Sequence, residues 1–146
     1  MLEAGILGVP WHSTRAEVEA IHPGGAWRRK TEAHVPYFIY SLKSSGSVFG
    51  LERVAHLPTA FMFENEAVLT GFTCWLQTPI DQVEQAFALL QDGCGPFDAN
   101  DCRQGDYWRQ FLRPGFVVLA QKGTVTAKRQ RLNLVVGYHR SGPMAH

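Results

Sequence analysis

The residues best suited to chemistry are three cysteines, Cys74, Cys94 and Cys102, and six histidines scattered singly along the chain. Cys94 and Cys102 bracket Asp98 and Asp101, a mixture of thiols and carboxylates of the kind that can ligate a metal, and His139 is a further candidate ligand or base. The spacing is not Cys-x-x-Cys, and Asp98-x-Asn100 lacks the following ligand, the glycine and the distal glutamate of a calcium loop. A catalytic thiol needs a base held in place by a third group, and the sequence displays no such set. The P-loop, the dinucleotide-binding glycine pattern, His-Glu-x-x-His and Gly-x-Ser-x-Gly are absent from the sequence. The residues therefore point to no metal and no cofactor. A small hydrolase or transferase using Cys94, Cys102 or His139 stays open as an alternative, as does a nucleic-acid-binding protein using the basic C-terminal strands.

A second concentration of groups is suited to contact rather than reaction. Tyr107, Trp108, Arg109 and Arg113 place aromatic rings and guanidinium groups close together in the chain, the residue types enriched at interface hot spots. In the last strand, Leu132, Leu134, Val136 and Tyr138 share one face by alternation, which leaves Arg129, Arg131, Asn133 and His139 on the other. If helices cover the apolar face, the polar face is open, and its arginines can fork onto carboxylates of an acidic partner or onto phosphates. The expected contact set is Tyr107, Trp108, Arg109, Arg113, Arg129, Arg131, Asn133 and His139.

The elements that position these groups are legible in part. Thr14 with Glu17 three residues on forms a capping box, and the helix it opens runs to about His22 before Pro23-Gly24-Gly25 stops it. Thr78, Pro79 and Asp81 read as the start of a second helix, whose apolar stripe of Ile80, Val83, Phe87 and Leu90 ends at Asp92-Gly93. Elsewhere the apolar period falls toward two. Strands are expected at 35–43, 48–57, 60–63, 67–76, 106–112, 116–121 and 124–139. Trp11 and Trp75, each three residues before an expected cap, read as rings packed on a helix's first turn.

The composition is that of a folded chain: 146 residues, 45% hydrophobic and 18% charged, which excludes a disordered or collagen-like polymer. A formal charge of +1 supplies no global field, so nucleic acid or anionic lipid would need a local patch. The bulk charge disfavours nucleic acid, and no apolar run has the length of a membrane helix. The N-terminal residues show no basic region followed by an apolar run, and the cysteine number is odd, so the expectation is a cytoplasmic protein with free thiols.

The two halves share a pattern. Trp11-His12-Ser13-Thr14-Arg15-Ala16-Glu17 and Trp75-Leu76-Gln77-Thr78-Pro79-Ile80-Asp81 both read Trp-x-x-Thr-x-x-acidic, and Val68 to Phe72 and Leu134 to Tyr138 both end an apolar run in glycine then an aromatic ring. The opening Gly8-Val9-Pro10-Trp11-His12-Ser13-Thr14-Arg15-Ala16-Glu17-Val18, followed by Phe61-Met62-Phe63-Glu64-Asn65-Glu66-Ala67-Val68-Leu69-Thr70-Gly71-Phe72, resembles the helix-plus-sheet repeats of the beta-lactamase inhibitor protein and SmpA-type lipoprotein superfamily. The resemblance implies a scaffold that binds other proteins through an open sheet face and loops. The fold expected is α+β: one domain made of two tandem units, about 1–74 and 75–146, each with one helix and three to four antiparallel strands, joined in a curved sheet with the helices on one face. The corresponding function is a non-enzymatic inhibitor or immunity protein that occludes a protein partner such as a bacterial toxin.

Overall fold

Antiparallel pairing dominates the computed structural model, which describes residues 2–32, 34–64 and 67–138. Among the described residues ten strands form one sheet: β1 (Ala26–Glu32), β2 (Val35–Leu42), β3 (Ser47–Val48), β4 (Leu51–Arg53), β5 (Thr59–Glu64), β6 (Val68–Pro79), β7 (Cys102–Gln104), β8 (Trp108–Arg113), β9 (Phe116–Thr126) and β10 (Arg129–Tyr138). Eight of them run in the order β1-β2-β5-β6-β10-β9-β8-β7, and the short β3–β4 hairpin pairs onto β6 through β4. Two short α-helices, α1 (Arg15–Ile21) and α2 (Val83–Cys94), accompany the sheet.

Alternation along the strands builds the core. One transverse row runs Trp27, Tyr40, Phe61, Phe72, Val136, Val118, Phe111 and Cys102, one residue from each of the eight strands. Tyr40, Phe61, Phe72 and Val136 in this row are fully buried. Helix α1 meets this face at β1 and β2: Glu19 accepts from the indole of Trp27, and the Tyr40 hydroxyl donates to the carbonyl of His22. Helix α2 meets the same face at the other end, where Phe87, Leu90 and Cys94 are buried. Between them lies the N-terminal segment, pinned where the Trp11 indole donates to the carbonyl of Leu2 and stacks on Tyr138. Trp11 is thus held by the segment before the helix and by β10.

The expected pair of tandem helix-plus-strand units is corrected by this structure. Strand accounts for 52% and helix for 21%, so the helices are minor additions to a largely antiparallel sheet. The shared letters fill unlike roles. Thr14 caps α1 and completes the capping box with Glu17, whereas Thr78 is buried inside β6 and pairs with Gln130. Trp75 likewise lies in mid-strand, Ile80–Gln82 form a 3-10 turn, and α2 begins only at Val83 without a side-chain cap. The two matching apolar runs lie side by side, with Gly71 opposite Gly137.

Other boundaries also move. The single strand expected over 48–57 is a hairpin that turns at Phe49 and Gly50, both at positive φ, and the break expected at Lys122-Gly123 is strand. The β9–β10 turn falls instead on Ala127 and Lys128, also at positive φ. Strands β1 and β7 fall on residues with no assigned element. The expected turn residues Asn65 and Glu66 lie outside the described residues, as does His139.

Candidate binding surface

Helices occupy one side of the sheet, and residues of opposite parity form the other. Across four strands one row of that second side runs Trp75, Asn133, Gln121 and Trp108. The two tryptophans are therefore three strand spacings apart, roughly 14 Å. Both are half-buried, Gln121 is exposed, and the neighbouring row holds Thr73, Val135, Leu119 and Gln110. Beyond it come Val117 and Leu112, so an apolar field with amides in it spans β6, β10, β9 and β8.

Local sequence explains the set of each ring. A Cβ at Gly123 would sit 2.6 Å from the ring of Trp75, so the absence of a side chain there lets the indole extend over β9. Gly105 does the same for Trp108, whose indole nitrogen would lie 2.3 Å from an added Cβ. Asn133 is fixed by donating to the Thr73 hydroxyl at 3.2 Å and to the Cys74 carbonyl at 3.1 Å. Arg131 occupies the next position on this side, opposite Gln77, and its guanidinium donates to Nε2 of His56 at 3.2 Å, which requires that nitrogen to be unprotonated. Arg129 is exposed and lies 3.6 Å from Glu52.

The other expected contacts are divided by parity. Arg109 points to the helix side, where it forms a bidentate pair with Glu84 at 2.9 and 3.0 Å and lies 4.4 Å over the ring of Phe87. Arg113 also lies on that side, bound to Glu3 and placed over Phe116 at 4.7 Å. This contact holds the Glu3 carboxyl below its usual range. These two arginines fasten α2 and the N-terminal segment to β8. Tyr107 is 70% exposed just before β8, with the Lys122 ammonium 5.9 Å from its ring. Trp75 lies in β6, within the strand expected over 67–76, but its ring joins the sheet face rather than the first turn of the second helix; its spacing of two from Thr73 and Gln77 is the signal for that face.

The thiols are poorly placed for nucleophilic work. Burial pushes Cys74 and Cys94 up to about 12. Cys102 is also raised, by burial and then by Asp101 and Asp98, and its thiol donates to the carbonyl of Asp98. All three remain protonated at neutral pH. The cleft between α2 and β7–β8 that contains Cys102 holds about 220 Å³, less than small-molecule sites usually offer, and its Glu84 and Arg109 are paired with each other. Among the described residues no three His, Cys, Asp or Glu side chains converge as a metal site, and no helix is long and apolar enough to cross a membrane.

Comparison of the chain with known protein families, with curated proteins and with solved structures gives no match.

Proposed function

We propose that this is a protein-binding module that acts by covering an acidic region around a partner's active site or docking surface, as an inhibitor or an immunity protein facing a toxin in the cytoplasm does. The observation that carries the reading is the row Trp75, Asn133, Gln121 and Trp108, flanked by Arg131. Two tryptophans whose rings lie over glycines supply apolar anchors, and the amides between them supply directed hydrogen bonds. Arg131 and Arg129 at one end of the face favour a partner whose rim carries carboxylates. The residues expected to touch it are Trp75, Trp108, Arg131, Asn133, Gln121 and Tyr107.

The test is affinity capture from the native host at two salt concentrations with nuclease present, run with the unaltered protein and with Arg131→Glu. A stoichiometric protein held by the first and lost by the second supports the reading. Retention of the same protein by both removes the surface assignment. Recovery of nucleic acid in place of protein overturns the reading.

A further inference from the structure

At the far edge of the sheet, β1 has no strand on its outer side among the described residues. Only two residues separate Glu32 from Val35 in the register with β2, so that closing pair is a hydrogen-bonded one and the pattern alternates from it. Thr31 opposite Pro36 is then a pair without hydrogen bonds, in keeping with a proline that has no N–H to give. Four pairs further along, Trp27 opposite Tyr40 has the same status once the alternation is followed. The N–H and C=O groups of Trp27 and Thr31 therefore point away from the sheet. This edge is seven residues long, whereas the opposite edge, β7, has three.

The side chains along this edge select what can pair with it. Arg28, Arg29 and Lys30 are consecutive and all exposed, Arg28 and Lys30 on the same side as the tryptophan row and Arg29 on the helix side. A second copy pairing about a two-fold centred on Arg29 would set Arg29 opposite Arg29 and Arg28 opposite Lys30. Every central pair would then be of like charge, which disfavours self-association. We infer that β1 is a second interaction site, one that accepts an extended, acidic segment of another protein as an added strand. Backbone groups of Trp27 and Thr31 supply its hydrogen bonds, and alternate carboxylates of the incoming strand meet Arg28 and Lys30. This site is independent of the tryptophan row.

The experiment titrates the full chain with an end-capped peptide as long as β1 that alternates glutamate with threonine and valine, reading amide exchange residue by residue. The expected result is saturable binding with Kd of about 1 mM or tighter, with exchange at Trp27 and Thr31 slowed at least tenfold. Thr31→Pro removes an outward N–H at an edge position where proline is tolerated, so the fold survives and the protection is lost. Arg28→Glu combined with Lys30→Glu also abolishes binding, and a peptide with lysine in place of glutamate does not bind. Absence of protection in the unaltered protein overturns the inference, in which case the cations serve to keep edges apart. Protection that survives Thr31→Pro overturns it as well.

Discussion

Trp75 and Trp108 lie in one transverse row of the sheet, joined through Asn133 on β10 and Gln121 on β9, on the side opposite both helices. This relationship separates binding from stability within a short stretch of chain. Trp108 faces one way, and its neighbour Arg109 faces the other and ties down α2 through Glu84. Trp108→Ala should leave the protein folded, with the modest loss of melting temperature that a half-buried ring implies, and weaken partner binding by about 2 kcal/mol or more, close to thirtyfold in Kd. Paired titration and thermal melts measure both quantities.

Arg109→Ala should show the converse. Its loss removes the contact over Phe87, the packing of the aliphatic stem and the Glu84 pair, and it should cost about 1–2 kcal/mol of stability while binding is kept. Urea unfolding measures the first and titration the second.

Gly123→Ala should disturb binding through Trp75. The new methyl would fall 2.6 Å from the indole, and the ring must move outward. Its fluorescence should shift to the red, with lower partner affinity and an unchanged far-ultraviolet spectrum.

Acid should weaken the fold through two carboxylates. Glu3 is held below the ordinary carboxylate value by Arg113, and Glu17 by the backbone N–H and then the hydroxyl of Thr14. A depressed folded pKa gives stability that is present above the unfolded value near 4.5 and is lost as pH falls through the folded one. Melting temperature should therefore drop as pH is lowered below that value, and Glu3→Gln with Glu17→Gln should flatten the dependence.

The sheet interior should be intolerant of truncation. Phe72 is fully buried at the centre of the aromatic row, with its ring 5.4 Å from that of Phe61. Phe72→Ala should cost about 3–5 kcal/mol, read by chemical unfolding.

Local signals were legible where a few neighbouring residues decide the outcome. Thr14 and Glu17 set the start of α1 by hydrogen bonds to each other's backbone, and alternation from Leu132 to Val136 gave the buried side of β10. The start of α2 was not legible, because Thr78 and Pro79 have the letters of a helix opening while the long ladder with β10 keeps them in strand. Strand β1 carries charge on both faces, as an edge can, and so lacks the apolar alternation that marks a strand. Tyr107 to Arg113 are neighbours along the chain, but the strand's period of two divides them. That period sends Trp108 and Arg109 to opposite sides, and the tertiary pairing brings the distant Trp75 into line with Trp108.

The most direct measurement is hydroxyl-radical footprinting of the captured complex against the free protein. The account predicts that oxidation of Trp75 and Trp108 falls together on binding while Leu89, exposed on α2, reacts as before. Protection of Leu89 with both tryptophans unchanged would place the partner on the helix side and contradict it.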